Sequence, residues 1–411
     1  MQASTRVAGT SRRTWTLLLA ILSVAGLMVV ISPSARPGPL FDEFALPTAN
    51  SQPYGITGGP DGNLWFTEYG GNQVGKITPS GTITEFPVPT ANSGPSSIVA
   101  GPDGNLWFLE EKAAKVVKMT TAGVMTEFAL PTASSVPEDI HAGLGGLYFI
   151  EFSTSNLVKV TTAGVITEIP LSIPTAEAPG IILGSDGNFW FSMFNAWKIG
   201  RVAPDGTGLT TFGDTSTFNT PLLPTLGPDG NVWVTENTGG HVERVTPTGV
   251  ITRFTGEVGE FGITTGPDGK LYYSQNRSTQ TGTTDWIAQL SVTGDGQRFQ
   301  IPTPSANPQY VTTGPDGNMW FAEWGGNKIG RLNLAEVPTT TSTTSSTTTT
   351  VPPTTSTTIG VPPPGAKQAI CHTLDVLRRI LPHAMFTKLI AQLQRIFPSL
   401  NLTDTGCPSV P

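Results

Sequence analysis

Gly59-Pro60-Asp61-Gly62-Asn63-Leu64-Trp65-Phe66-Thr67-Glu68 decides the fold, because the chain repeats it. Copies of the Gly-x-Asp-Gly-Asn element stand at residues 101–105, 184–188, 227–231 and 314–318, with a near copy at 266–270 and a degenerate one at Gly143-Leu144-Gly145-Gly146. These seven positions lie 39 to 48 residues apart, and an aromatic segment such as Leu106-Trp107-Phe108 or Met319-Trp320-Phe321 follows each. Asp-Gly supports the positive φ of a tight hairpin. The residues around it read as four short strands. A first strand like Gly55-Ile56-Thr57-Gly58 precedes the turn and the aromatic strand follows it. A third strand like Gln73–Ile77 and a fourth like Thr82–Pro87 complete the unit.

Apolar side chains fall on both faces of the aromatic strand, as expected of a sheet covered on both sides. Self-similarity at this period predicts blades. The seventh copy stops at Lys328–Leu334 without a fourth strand, while Phe41-Asp42-Glu43-Phe44-Ala45-Leu46-Pro47 reads as a fourth strand without the other three. The N-terminal strand is therefore expected to complete the last blade, leaving no open edge. The fold class is all-β: a seven-bladed β-propeller over residues 41–335, closed by its N-terminal strand.

The flanks differ in kind. Residues 1–35 read as a signal peptide, with Arg12 and Arg13 before an apolar run from Trp15 to Ile31, and the chain is expected outside the cytoplasm, secreted or at the cell surface. Retention of that run as a membrane anchor is the other reading. Residues 337–366 are Thr, Ser and Pro almost throughout and read as an extended linker. Residues 367–411 return to a helical period, read as a small α-helical module. Cys371 and Cys407, the chain's two cysteines, are expected to close it as a disulfide worth about 4 kcal/mol. The 411-residue chain carries a net charge of −7 without a basic stripe, which argues against a nucleic-acid partner. It is expected to be a monomer whose partner is a small molecule, a glycan or an extracellular protein.

Residues 59–68, continued by Gly71-Asn72-Gln73-Val74-Gly75-Lys76-Ile77 and Ile83-Thr84-Glu85-Phe86-Pro87, resemble the repeat of the virginiamycin B lyase family, propellers that inactivate streptogramin B. Ala322-Glu323-Trp324-Gly325-Gly326-Asn327-Lys328-Ile329-Gly330-Arg331 resembles it as closely. The resemblance implies the propeller fold and an activity that opens a cyclic depsipeptide by elimination. Such chemistry needs a base for a proton beside a carbonyl and Mg²⁺ to polarise the ester. It further implies histidines beside glutamates on one rim, in a Glu-x-His element and at the entrance of a first strand. The chain instead has Glu68-Tyr69-Gly70, Glu236-Asn237-Thr238 and Glu323-Trp324-Gly325. Its first-strand entrances carry Tyr54, Ser96, Glu138, Pro179, Phe261 and Gln309.

Several residues remain as candidates for chemistry. Glu68, Glu110, Glu151, Glu236 and Glu323 end equivalent second strands, where Met193 and Gln275 replace the acid in two blades. If Glu68, Glu110, Glu151 and Glu323 converge on the axial mouth, Mg²⁺ or Ca²⁺ is the expected ion. If each instead serves a neighbouring loop, they are structural. His241 follows Glu236 by five residues, and the two form a candidate catalytic pair. His141 in a first strand is a second histidine to place. Tyr54, Tyr69, Tyr310 and Trp324 are expected at the rim as stacking surfaces for a ligand. Trp65, Trp107, Trp190, Trp233 and Trp320 read as core, and the repeated bases Lys76, Lys118, Lys159, Arg201, Arg244 and Arg331 as solvated. Two functions follow: ligand binding at an acidic rim or, alternatively, a metal-dependent carbon–oxygen lyase.

Overall fold

In the computed structural model the described residues are 38–338, without 174–176, 215, 217, 239, 256–259 and 277–283. They form seven four-stranded antiparallel sheets. Blade 1 comprises Pro53–Gly58, Leu64–Glu68, Gln73–Ile77 and Ile83–Pro87, here called its first, second, third and outer strands. Blades 2 to 6 begin at Pro95, Pro137, Ile181, Pro221 and Glu260. Blade 7 takes Pro308–Thr313, Met319–Glu323 and Lys328–Leu332 from one end of the sequence and Phe41–Ala45 from the other. The borrowed strand runs in register from Phe41↔Leu332 to Ala45↔Lys328. Phe44 stacks on Trp320 at 5.5 Å, and Arg331 donates to Asp42 at 2.6 and 3.1 Å. First strands of successive blades touch all the way round, including blade 7 against blade 1, so the ring is closed.

The repeated turn explains why the aromatic strand follows it. Gly62 sits at φ +74°, where a Cβ is disfavoured. The turn presents Asp61 Oδ1 to the indole N–H of Trp65 at 3.0 Å. The same bond recurs from Trp107, Trp190, Trp233 and Trp320 to Asp103, Asp186, Asp229 and Asp316 at 2.9–3.1 Å. In blade 6 the Tyr272 hydroxyl donates to Asp268 instead. The five indoles are at most 1% exposed, so a polar N–H enters the core already satisfied.

The repeated bases are not simply solvated. Lys118, Arg201, Arg244 and Arg331 pair with Asp103, Asp186, Asp229 and Asp316 at 2.8–3.8 Å. Each also lies over the blade's tryptophan, 5.1–5.7 Å from its ring centre. Lys76 and Lys159 cover Trp65 and Tyr148 in the same way. The cross-strand register opposes each base to its aromatic, as Trp65↔Lys76 shows. Cation and ring therefore meet on one face.

A second repeated device staples the seams between blades. The exit loop of one blade carries Pro-Thr, and that threonine caps a glutamate on the next blade's outer strand. Thr48 donates its N–H and hydroxyl to Glu85 at 3.0 and 2.8 Å. Thr90 does so to Glu127, Thr132 to Glu168, and Thr303 through its N–H to Glu43. The first residue of the third strand completes the group: Gln73, Lys115 or Lys328.

The signal segment, the linker, the helical module and the Cys371–Cys407 pairing lie outside the described residues. Among the described residues no helix is long and apolar enough to cross a membrane.

Candidate functional site

In the five blades whose second strand ends in glutamate, the start of the first strand opposes that end: Pro53↔Glu68, Pro95↔Glu110, Pro137↔Glu151, Pro221↔Glu236 and Pro308↔Glu323. The register then shifts by a bulge in every one of these pairs, which re-aims the next residues. In blade 1 the residue after Pro53 is Tyr54, and its ring occupies the axial mouth. Tyr310, Trp324, Phe261 and Tyr69 surround it at 5.4, 5.8, 5.9 and 6.3 Å between ring centres. Tyr69 and Trp324 touch each other at 5.4 Å, as Phe261 and Tyr310 do at 5.9 Å. The structure thus brings Tyr54, Tyr69, Tyr310 and Trp324 into one cluster and adds Phe261, which the sequence marks only as a strand-entrance residue.

Acids face this aromatic floor, but not the ones singled out by their repetition. The Tyr310 hydroxyl reaches from blade 7 to Asp139 of blade 3 at 3.0 Å. Asp139 also accepts from the Ser97 hydroxyl and the Ile181 N–H at 3.0 and 3.1 Å. Tyr69 donates to Glu111 at 3.2 Å, with the Lys112 ammonium 4.2 Å above the Tyr69 ring. Burial, then the charges of Glu111, Asp139 and Glu177, push Glu138 up to about 8. Burial pushes Asp139 up to about 6 against the hydrogen bonds that lower it. Tyr54 and Tyr310 are held well above the usual phenol value, first by burial and then by neighbouring charges. The mouth is therefore a half-buried aromatic surface ringed by acids whose carboxyl groups burial holds above the usual range.

Glu68, Glu110, Glu151 and Glu323 lie elsewhere. Each is fully buried. Strand alternation sets Glu68 on the face of Phe66, whose ring packs against Trp320 and Ile329 of blade 7, so its carboxyl enters the seam rather than the axis. Burial and the facing Glu85 raise Glu68 to about 8, Glu127 does the same to Glu110, at about 7, and Glu43 to Glu323, at about 8. Glu151 is raised by burial against hydrogen bonds from Thr154 and Asn156. These are carboxyl pairs within blades, one member already capped by a threonine. Among the described residues no three His, Cys, Asp or Glu side chains are grouped as a metal ion would need. This donor set does not fit the Mg²⁺ that the resemblance implies, nor Ca²⁺, which takes six or more oxygens.

Glu236 and His241 do come together, in a pocket of ≈ 300 Å³ at the seam of blades 4 and 5, lined also by Trp197, Ser216, Phe218, Asn219 and Arg253. Asn219 N–H donates to Glu236 Oε1 at 2.6 Å and the Glu243 carboxyl also hydrogen-bonds Glu236, while His241 Nδ1 is buried without a partner. Beneath them Glu243 is fully buried and accepts from Arg253 Nε at 3.1 Å. Burial and Glu236's charge push Glu243 up to about 9. Burial and Arg253 lower His241, keeping the imidazole neutral. His141 stands apart in the first strand of blade 3, Pro137–Gly143, where burial lowers it to about 4.

A profile described as the virginiamycin B lyase family matches residues 36–213 and 209–354. A virginiamycin B lyase of Bacillus licheniformis is 49% identical over 41 residues, which is 10% of this chain and 14% of that protein. A solved streptogramin B lyase superposes with a TM-score of 0.66 at 31% identity, over 71% of this chain and 97% of the other. Virginiamycin B lyase from Staphylococcus aureus superposes with the same score at 29% identity, over 72% and 99%. Its catalytically inactive histidine-to-alanine variant, solved with quinupristin, matches equally well.

Proposed function

The chain belongs to the virginiamycin B lyase family, and we propose that within it this member binds a small molecule at its axial mouth rather than opening a depsipeptide ring. The convergence of Tyr54, Tyr69, Phe261, Tyr310 and Trp324 on one floor carries this reading. Such a surface buries a flat or ring-bearing ligand with little loss of side-chain freedom. Tyr69, Glu111, Glu138 and Asp139 border the floor with polar groups that orient a ligand.

The related lyase loses activity when one histidine becomes alanine. Here only His141 and His241 fall within residues 41–335. Burial holds the first at about 4, and the second sits in the blade 4–5 seam. The start of the chain supports export, so the ligand is one met outside the cytoplasm.

Quinupristin, the compound bound by the related variant, is a suitable first probe. Titrating it against the chain is expected to quench Trp324 fluorescence. Tyr54→Ala and Tyr69→Ala are expected to weaken binding about tenfold or more. The quinupristin recovered should remain cyclic with and without EDTA. Elimination leaves the mass unchanged, so the ring is checked by chromatography and fragmentation. Ring-opened product would restore the lyase reading, and quenching untouched by either substitution would move the ligand away from the mouth.

A further inference from the structure

The repeats act as internal controls for one another, and the seam of blades 4 and 5 departs from the stapled seams at several positions. The residue before the third strand takes a left-handed backbone. It is Asn72, Ala114, Ser155 or Asn327 in blades 1, 2, 3 and 7, but Trp197, at φ +55°, in blade 4. A bulky aromatic there is strained and is retained only where something else favours it. In blades 1 and 7 that position instead carries an asparagine whose carbonyl accepts from Ser93 or Ser51.

Across the seam, in blade 5, Arg253 occupies the register of the stapled glutamates Glu85, Glu127 and Glu168. Glu243 replaces Gly75, Val117 or Val158 opposite it. His241 replaces Gln73 or Lys115 at the start of the third strand. The exit loop, Gly213 to Asn219, has no Pro-Thr. Where the four seams closed by Thr48, Thr90, Thr132 and Thr303 are stapled, this one holds the ≈ 300 Å³ pocket.

We propose that this blade 4–5 pocket is a binding site for one saccharide unit, distinct from the axial mouth. Three features select that chemistry. Trp197, partly buried against the core residue Phe218, supplies an aromatic wall of the kind on which the C–H face of a pyranose stacks. His241 Nδ1 is buried at the pocket without a hydrogen-bond partner, and an apolar ligand would leave it so. A ligand hydroxyl group would satisfy it. The pocket's charges also compensate one another: Arg253 donates to Glu243 at 3.1 Å, and its charge works against the burial that raises the neighbouring Glu236. A strongly charged ligand is therefore not selected, whereas a neutral polyol is.

The test is saturation-transfer-difference NMR on the full chain with the methyl glycosides of glucose, galactose, mannose and N-acetylglucosamine. At least one should receive saturation at its ring protons. Trp197→Ala should abolish the signal with some loss of Tm, because the ring also packs on the core around Phe218, and Trp197→Tyr should keep both signal and fold. The mouth variant Tyr69→Ala should leave it unchanged. No transfer to any of the four glycosides overturns the proposal, as does a signal that survives Trp197→Ala or vanishes with Tyr69→Ala. Neither result bears on quinupristin at the mouth, so the two sites stand or fall separately.

Discussion

Asp103 shows how much one residue of the repeat carries. It accepts from Trp107 Nε1 at 3.1 Å and pairs with Lys118 at 2.8 Å. Burial opposes its charge, yet the bonds from Lys118, Trp107 and Asn105 hold the carboxyl down at about 2. Asp103→Ala orphans a buried indole N–H and releases the lysine lying over the ring. The expected loss is about 1–3 kcal/mol in chemical denaturation. Asp-Gly and the following tryptophan are readable in the sequence as turn and core. The bond that joins them is not, because it depends on the hairpin bringing residues four apart face to face. The aromatic floor was legible for a related reason: Tyr54, Tyr69, Tyr310 and Trp324 occupy strand ends whose rim position follows from alternation. Phe261 stands at a strand entrance too, and its place in the floor was within reach of the same reasoning.

At the scale of the strand, repetition misleads about the glutamates. Glu68 and its equivalents recur at one strand end, and a common axis is the simplest reading. Their side chains alternate into the seams instead, beside Glu85, Glu127 or Glu43. The signal that separates them is pairing between repeats: Pro-Thr precedes each blade whose outer glutamate it caps, at Glu43, Glu85, Glu127 and Glu168, and blade 5 has neither. These pairs make stability depend on pH in a defined direction. Glu68, Glu110 and Glu323 have folded values of about 8, 7 and 8, above the ordinary 4.5. Their contribution is fully present below about 4.5 and is lost as pH rises through 7 to 8. The turn aspartates act oppositely: Asp103 stabilises above its ordinary 3.8, and this is lost as pH falls through about 2. Tm is thus expected to peak in mildly acidic buffer. The double variant Glu68→Gln, Glu323→Gln should flatten the decline toward alkaline pH, and a decline of unchanged slope would show that other groups govern it.

For the whole molecule, closure was legible because two incomplete units sit at opposite ends of the repeat array. Phe41–Ala45 contributes a full ladder with Lys328–Leu332, the stacking of Phe44 on Trp320, and Asp42 for Arg331. Deleting residues 38–46 exposes the ladder edge of Lys328–Leu332 and uncovers Trp320. The shortened chain is expected to melt lower and to elute as higher oligomers in size-exclusion chromatography, since an unpaired edge recruits strands. A monomer of unchanged Tm would show that blade 7 stands on three strands.

The same borrowed strand also sets a timetable. Phe41 leaves the ribosome early and cannot meet Leu332 until almost the entire array has been synthesised. Six sheets can form in sequence order from local hairpins, while the seventh waits on the longest loop in the chain to close. Until then the segment that later seals the ring remains available to chaperones, proteases or a second nascent chain. A pulse of protease during refolding should accordingly cut near residue 45 long after the middle blades have become resistant.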